Sequence, residues 1–300
     1  MSGAPDLERA DRPRDAEEVR ARFDARDYLA DAGLCTAVFL ALRLGMPLLL
    51  EGEPGVGKTQ AGKVLALALD APLVRLQCYE GLTAREALYD WNYQRQLLAI
   101  RLAEAQHEHL TEADLFSVDF LVERPILRCV RDAGVRPPVL LVDEVDRADD
   151  EFEALLLEFL GEGSVTVPEL GTFAARHPPV VVLTSNRSRD LHDALRRRCL
   201  YHWLDFPAPD RVAQILRRTV PAAAEPLLES VTRFVGRVRE LDLDKPPGLA
   251  ETINWLAALS ALGVAALARA DVVATLGTLA KTPDDRDTIL AAVDDGHALT

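Results

Sequence analysis

The strongest constraint on this chain is an eight-residue run that fits the pattern GxxxxGK[ST], Gly52-Glu53-Pro54-Gly55-Val56-Gly57-Lys58-Thr59. An apolar run over residues 47–50 precedes it, and helical spacing follows over residues 58–69. Glycines let successive backbone N–H groups point inward at phosphate oxygens, and the N-terminus of the following helix adds positive potential. The pattern predicts a phosphate-binding loop, with the contact residues Gly52, Glu53, Pro54, Gly55, Val56, Gly57, Lys58, Thr59 and Gln60.

Two acidic residues follow the apolar run over 139–142, where a buried strand is predicted to end. Asp143 is expected to hold Mg²⁺ through a water, together with the hydroxyl of Thr59. Glu144 is expected to polarise the attacking water as a general base, and Lys58 is expected to contact the β- and γ-phosphates. An Asp-Glu pair after a strand is equally typical of solvated loop acids, so this prediction depends on the phosphate-binding loop upstream.

An amide and a basic cluster follow the later apolar runs. Asn186 comes directly after such a run and is expected to orient the lytic water; a simple turn asparagine is the alternative interpretation. The basic cluster precedes the last strand-like run and consists of Arg196, Arg197 and Arg198. Such a triplet is usually a solvated basic face. An arginine lent to the γ-phosphate of a neighbouring subunit would instead offset charge in the transition state, and that interpretation requires an oligomer.

Strand-like runs alternate with helical patterns up to Pro207, which predicts an α/β fold with a parallel sheet and helices on both faces. Ligands of such sheets bind beyond the carboxyl ends of the strands, where the polar residues above would meet. Helical patterns alone follow Pro207. The expected organisation is a disordered or loosely ordered tail over 1–25, an α/β nucleotide-binding domain over 26–207 with an insertion over 79–137, and an all-helical domain over 208–300.

The composition disfavours several classes of function. The formal net charge is −14, whereas binding to nucleic acid phosphates or to anionic membranes needs a basic surface. The four cysteines are far apart and show no zinc-ligand spacing, so reduced thiols in a cytoplasmic protein are expected. The first residues lack the apolar core of a signal peptide, and no apolar run reaches the about 20 residues of a membrane helix.

These motifs in this order, followed by helical patterns, resemble an AAA+ ATPase, and the resemblance covers about residues 26–300. Residues 165–172 are similar to the hairpin before the sensor strand in the MoxR-type group, and the insertion after the second strand is similar to that group's other hallmark. Within the group, residues 50–59, 77–82 and 194–199 resemble the branch encoded beside carbon monoxide dehydrogenase and related molybdenum hydroxylases.

The resemblance implies a P-loop NTPase core with a five-stranded parallel sheet in the order 5-1-4-3-2, a helical lid, ATP and Mg²⁺ as cofactors, and a homo-oligomeric ring, usually a hexamer. It implies the sensor 1 role for Asn186 and places the arginine finger at Arg198, with Arg197 as the second choice. It also implies a partner with a von Willebrand factor A domain and a chaperone-like role in maturing or activating a metalloenzyme, such as a molybdenum hydroxylase.

The chain departs from the family pattern in the lid. Members of this type often carry an arginine at the start of a late lid helix, where this sequence reads Pro-Pro-Gly-Leu-Ala-Glu-Thr-Ile over residues 246–253. Three arginines of the preceding helical region could substitute for it: Arg233, Arg237 and Arg239.

Other functions stay open at this point. A small-molecule kinase would use the same loop, although it needs neither the adjacent acids nor the hairpin. A nucleic-acid motor or a restriction-type NTPase is disfavoured by the negative charge, although a channel can be locally basic. A binding module that has lost catalysis is disfavoured by the intact acid pair. The residues also leave open whether the base is adenine or guanine.

Overall fold

The computed structural model describes residues 12–132 and 134–295, which form two compact units. The sheet unit contains the described residues of 12–22, 30–51 and 59–203, and the helical unit contains those of 23–29, 52–58 and 204–295. No helix among the described residues combines the length and apolar character needed to cross a bilayer.

The described strands are β1 (Leu48–Gly52), β2 (Leu73–Gln77), β3 (Tyr89–Trp91), β4 (Leu121–Glu123), β5 (Val139–Asp143), β6 (Ser164–Val167), β7 (Gly171–Ala174), β8 (Val180–Ser185) and β9 (Leu200–Leu204). The described helices are α1 (Ala16–Asp24), α2 (Ala32–Leu44), α3 (Lys58–Ala68), α4 (Ala84–Leu88), α5 (Tyr93–Gln106), α6 (Glu112–Leu115), α7 (Pro125–Arg131), α8 (Asp150–Glu162), α9 (Asp193–Arg196), α10 (Pro209–Thr219), α11 (Glu225–Val238), α12 (Leu249–Ala261), α13 (Arg269–Thr275) and α14 (Pro283–Asp294).

Among the described residues, five strands form the main sheet in the order β2-β5-β8-β1-β9. Counting only these five along the chain gives 5-1-4-3-2 when read from the other edge, so the predicted order is confirmed. Neighbouring strands from β2 through β5 and β8 to β1 pair in parallel. Every residue of β1 and β5 is buried, whereas β2 at the edge alternates between exposed and buried residues. Continuous apolar strands therefore occupy the centre, as expected when helices cover both faces.

The parallel register brings the polar strand ends together. Asp143 at the end of β5 lies opposite Gln77 of β2. On the other side of β8, Glu51 of β1 lies opposite Ser185. The carboxyl ends of these strands thus form one polar edge, which is where ligands bind in sheets of this kind.

The insertion between β2 and β5 folds into a small subdomain that the sequence did not resolve. It contains α4 to α7 and the antiparallel pair of β3 with β4. Trp91 is almost fully buried there and packs edge-on against Phe116, with 5.1 Å between ring centroids. Farther along the chain, β6 and β7 pair in antiparallel register, which confirms the hairpin expected over residues 165–172.

The helical unit has a hydrophobic core of its own. Trp255 of α12 is fully buried beside Phe234 of α11, and its indole N–H donates to the hydroxyl of Thr275 at 2.7 Å. The described residues beyond β9 contain helices α10 to α14 and no strand, in agreement with the helical patterns of the sequence.

The predicted tail over 1–25 needs a correction. Residues 1–11 lie outside the described residues, but α1 is an ordered helix from Ala16 to Asp24. Val19 and Phe23, one helical turn apart, are each 1% exposed, and the carboxylate of Asp15 accepts a hydrogen bond from the amide of Glu18. A buried i, i+4 pair and a side-chain cap stabilise a helix that the charged composition concealed.

Candidate functional site

The loop over Gly52–Lys58 belongs to the helical unit, and its backbone requires glycine at several positions. Gly55 and Gly57 have φ angles of +80° and +101°, a region that residues with a side chain rarely adopt. A Cβ atom on Gly52 would overlap the carbonyl oxygen of Leu204. The three glycines of the motif are therefore sterically required, whatever ligand the loop binds.

The side chain of Lys58 is folded into the loop. The residue is 6% exposed, and its Nζ donates to the carbonyl oxygens of Gly52 at 2.8 Å and Glu53 at 2.7 Å. Phosphate oxygens carry more negative charge than carbonyl oxygens and form stronger hydrogen bonds with an ammonium group. The ammonium is thus held where a bound phosphate would attract it.

The start of α12 touches the same loop within the helical unit. The amide of Leu249 donates to the carbonyl of Gly55 at 3.0 Å. A Cβ atom on Gly248 would lie 2.9 Å from the Cα atom of Gly55, which is closer than real Cβ contacts. The motif's second glycine and the glycine before α12 therefore allow two backbone segments to meet without side chains between them.

Arg239 also contacts the loop within this unit. Its guanidinium donates to the carboxylate of Glu53 at 2.6 Å and to the carbonyl of Pro247 at 2.7 Å, and it lies 3.8 Å from the centroid of the Phe206 ring. Of the three arginines that the sequence left open, Arg239 thus contacts a loop residue. Its role toward a γ-phosphate stays a prediction.

Asp143 is the centre of a hydrogen-bond network in the sheet unit. The residue is 1% exposed, and its Oδ1 accepts from the hydroxyls of Thr59 at 2.8 Å and Thr184 at 2.6 Å. Oδ2 accepts from the guanidinium of Arg75 on β2. The structure therefore brings together Thr59 and Asp143, the two residues expected to hold Mg²⁺.

The donor set at Asp143 fits magnesium. A hydroxyl and a carboxylate are the hard oxygen ligands that Mg²⁺ prefers, and this ion is usually bound by one or two protein groups plus phosphates and waters. The described part of the chain contains no cluster of three or more His, Cys, Asp or Glu residues that would hold a metal unaided. Thr59 and Asp143 are thus suited to a magnesium ion that arrives with a nucleotide.

Glu144 differs from Asp143 in its exposure. Its backbone is left-handed, with φ of +56°, and its amide donates to the hydroxyl of Thr184 at 2.9 Å. Its side chain is 32% exposed and lies 3.1 Å from the guanidinium of Arg147. Thr184 therefore fixes both acids, while the carboxylate of Glu144 stays accessible to a water molecule that it could deprotonate.

Asn186 lies in the segment after β8, and a second buried acid, Asp146, accepts hydrogen bonds from backbone amides of this segment. Asp146 is 2% exposed and accepts from the amide of Asn186 at 3.2 Å. It also accepts from the amide of Ser188 at 2.8 Å and from the hydroxyl of the same residue at 2.7 Å. Asp146 thus has a structural role, since its hydrogen bonds hold the backbone of the segment that carries Asn186.

A third buried acid, Glu51, connects β1 to the arginine cluster. It is 1% exposed and accepts from the guanidinium of Arg196 and from the hydroxyl of Ser185, both at 3.1 Å. Tyr201 also hydrogen-bonds Glu51, and burial together with this carboxylate raises the pKa of the tyrosine. Arg196 is therefore an internal ion-pair partner and not part of a solvated basic face.

The other two arginines of the cluster face outward. The side chain of Arg197 is 82% exposed and lies 3.9 Å from the carboxylate of Asp193. Arg198 is exposed as well, and its guanidinium donates to the carbonyl of Leu157 on α8 at 2.6 Å. Both side chains are thus placed where a second protein chain could reach them.

A buried thiol underlies the acids and takes no part in acid–base chemistry. The amide of Cys78 donates to the carbonyl of Asp143 at 2.8 Å. Burial, reinforced by the negative charges of Asp143, Asp146 and Glu144, raises the pKa of this thiol to about 12. The thiol is therefore neutral at physiological pH.

The comparisons with known proteins agree with this geometry. The family model of the AAA domain (dynein-related subfamily) matches residues 47–199, just over half of the chain. The denitrification regulatory protein NirQ of Pseudomonas aeruginosa is 26% identical over 231 residues, which cover 73% of this chain and 77% of NirQ. The gas vesicle ATPase GvpN1 of Halobacterium salinarum is 25% identical over 217 residues, which cover 66% of this chain and 58% of GvpN1.

Two further proteins are similar. YehL of Escherichia coli is 30% identical over 203 residues, which cover 64% of this chain and 50% of YehL. Among solved structures, the RuvB Holliday junction branch migration motor of Thermotoga maritima has a TM-score of 0.46 and 17% identity, and the match covers 89% of this chain and 72% of that one. The chain thus spans only about half of YehL and under three fifths of GvpN1. By the match over residues 47–199, the chain belongs to the AAA domain family, in its dynein-related subfamily, a family of P-loop ATPases.

Proposed function

We propose that this protein is a MoxR-type AAA+ ATPase that hydrolyses ATP within an oligomeric ring and remodels a client protein. The observation that carries the proposal is the different burial of two adjacent acids, Asp143 and Glu144. Asp143 is buried against the hydroxyl of Thr59, whereas the carboxylate of Glu144 is about one-third exposed. A buried acid suits a metal ion and an accessible acid suits a reacting water, and a simple phosphate-binding module needs neither.

In the proposed reaction, the loop amides and the ammonium of Lys58 bind the β- and γ-phosphates. Thr59 and Asp143 would hold Mg²⁺, which when bound neutralises charge on the phosphates. Glu144 accepts a proton from a water whose oxygen forms a bond to the γ-phosphorus, while the bond from that phosphorus to the bridging oxygen breaks. ADP and inorganic phosphate are the products. Asn186 orients the water.

The ring is part of the proposal because two arginines of the cluster, Arg197 and Arg198, are exposed. Arg198 would extend to the γ-phosphate bound by a neighbouring subunit, with Arg197 as the second choice. Both arginines follow α9, and both side chains are exposed. A hexamer is the ring size that the family resemblance favours.

The finer assignments rest on the sequence resemblance. They comprise the branch associated with carbon monoxide dehydrogenase, a partner with a von Willebrand factor A domain, a metalloenzyme client such as a molybdenum hydroxylase, and action in the cytoplasm. The hairpin of β6 and β7 supports the MoxR-type group. The division into an α/β domain over 26–207 and a helical lid over 208–300 belongs to the same proposal.

Subunit mixing tests the shared site. We expect the Glu144→Gln variant to bind ATP but to release phosphate about 10²–10⁴ times more slowly, because it lacks the general base. The Arg198→Ala variant should lose about 10³–10⁵ in rate. A mixture of the two should regain activity, because some interfaces then combine an intact Glu144 with an intact Arg198.

The Arg197→Ala variant is the matched control, since it removes a neighbouring exposed arginine and should keep most of the activity. Loss of activity in Arg197→Ala with normal activity in Arg198→Ala would assign the finger role to Arg197.

A protein that stays monomeric and releases no phosphate from magnesium ATP would refute the proposal. Phosphate transferred to an added metabolite would instead indicate a kinase. Capture of a metalloenzyme by the Glu144→Gln variant in the presence of ATP would support the client assignment.

A further inference from the structure

The buried metal-binding acid already has a cation beside it. Arg75 lies on β2, the neighbour of β5 in the sheet. Its Nε and one terminal nitrogen donate to Oδ2 of Asp143 at 3.1 and 2.5 Å, and the same terminal nitrogen contacts the side-chain oxygen of Gln77. Alternate residues of a strand share a face, so Arg75 and Gln77 both flank the carboxylate.

This contact balances the charge of Asp143. The side chain of Asp143 is 2% exposed, and an isolated carboxylate with so little access to water is strongly unfavourable. The hydroxyls of Thr59 and Thr184 satisfy Oδ1, but they are neutral. The positive charge therefore comes from Arg75, and the acid is paired before any metal arrives.

Arg75 is also able to leave. Its side chain is 43% exposed, so its guanidinium can reach water without crossing the protein interior. A divalent cation held by Thr59 and Asp143 would face a like charge for as long as Arg75 stays in place. Asp143 thus has two alternative cationic partners, one belonging to the chain and one arriving with the nucleotide.

We propose that Arg75 is a resident counter-ion of Asp143 that competes with Mg²⁺ and so sets the magnesium concentration at which nucleotide binding becomes stable. This inference depends on the proposed function, because it takes Asp143 as a magnesium-binding residue. It assigns Arg75 as a positioning residue. Loss of its charge should strengthen magnesium binding but should lower the stability of the metal-free protein. An ordinary structural ion pair would not show these opposite signs.

The test is a magnesium titration of the full chain at saturating ADP, followed by thermal unfolding, so that no turnover is needed. The variants are Arg75→Gln, Arg75→Lys and, as a control, Arg136→Gln. Arg136 forms an exposed ion pair with Asp70 at 3.0 Å in the same unit. Without metal, Arg75→Gln should unfold at a lower temperature than the natural chain, because Asp143 loses its cation.

With ADP present, the half-maximal magnesium concentration of Arg75→Gln should fall about fivefold, because one like charge next to the site is gone. Arg75→Lys should shift it less in the same direction, since lysine keeps the charge but not the paired donors. Arg136→Gln should leave it unchanged. If Arg75→Gln does not fold, Arg75→Lys alone still gives the sign of the shift.

An unchanged or higher magnesium requirement in the Arg75 variants would overturn this inference alone, provided that Asp143→Asn abolishes the magnesium response. If magnesium has no effect on the natural chain, or if Asp143→Asn responds normally, then Asp143 does not bind the metal. That result would overturn both the inference and the proposed function.

Discussion

Thr184 binds both members of the acid pair and is itself 1% exposed. Its hydroxyl donates to Asp143 and accepts from the amide of Glu144. Thr184→Val keeps the shape of the side chain but removes both contacts. We expect the free energy of unfolding to fall by about 1.5–3 kcal/mol, the usual value of a hydrogen bond to a charged group, and the rate of ATP hydrolysis to fall at least about tenfold.

Urea unfolding and phosphate release measure the two effects of Thr184→Val. Thr184→Ser retains the hydroxyl and serves as the control, which should recover most of the hydrolysis rate. Equal activity of the valine and serine variants would show that the hydroxyl does not position the acids.

The sequence predicts site residues where a local motif specifies them. The loop over Gly52–Lys58 and the acids Asp143 and Glu144 were predicted from a pattern and its flanking strand. Thr184 and Arg75 were not assigned, because their roles arise from the register between strands that lie far apart in the chain. A polar residue at the end of an apolar run was the only visible signal for Thr184, and none existed for Arg75.

The contact between the phosphate-binding loop and α12 depends on Gly248. Its φ of −81° and ψ of 178° are accessible to any residue, so an alanine there would be opposed by contacts and not by backbone strain. The Cβ atom of Gly248→Ala would lie 2.9 Å from the Cα atom of Gly55 and 3.1 Å from the carbonyl of Pro54. We expect the loop to shift and the affinity for ADP to fall about tenfold, which corresponds to about 1.4 kcal/mol.

Titration with a fluorescent ADP analogue would measure the effect of Gly248→Ala. Gly236→Ala within α11 is the control, because a Cβ atom there meets nothing within 4 Å. It should leave ADP affinity unchanged and stabilise the helix by about 0.5–1 kcal/mol. A normal affinity in Gly248→Ala would show that the loop tolerates displacement of α12.

Elements with a strong period were predictable, and elements that depend on distant partners were not. The apolar run over residues 139–142, predicted as a buried strand, lies within β5, and the alternation of strands and helices predicted the class of the fold. The insertion stayed unresolved because β3 and β4 have three residues each and are stabilised by pairing with each other. The helix α1 escaped prediction because its charged residues mask two buried apolar positions.

Three buried thiols in the sheet unit should make its free energy of unfolding depend on pH in the alkaline range. Burial raises the pKa of Cys78, Cys129 and Cys199 from 9.0 to about 12 each. Above pH 9 the unfolded thiols release protons that the folded ones keep, so the unfolded state is favoured as pH rises toward 12. Each thiol should remove up to about 1.4 kcal/mol of stability per pH unit across that window, and contribute no change below it.

Urea unfolding at pH 8, 9 and 10 tests this dependence. Cys129→Ala lowers stability at every pH because it leaves a cavity, but its loss between pH 9 and 10 should be smaller than that of the natural chain by about 1 kcal/mol. Tyrosines and other groups that titrate in this range affect both proteins equally. Parallel stability curves for the two proteins would contradict a raised pKa for Cys129.

The buried carboxylate of Glu51 has a consequence for a ring of the proposed kind. It lies at the end of β1, directly before the phosphate-binding loop in the chain, and through Arg196 it anchors the short helix before Arg197 and Arg198. In such a ring, a change at Glu51 would disturb the segment that carries Arg197 and Arg198, and its effect would therefore appear at the nucleotide bound by the neighbouring subunit.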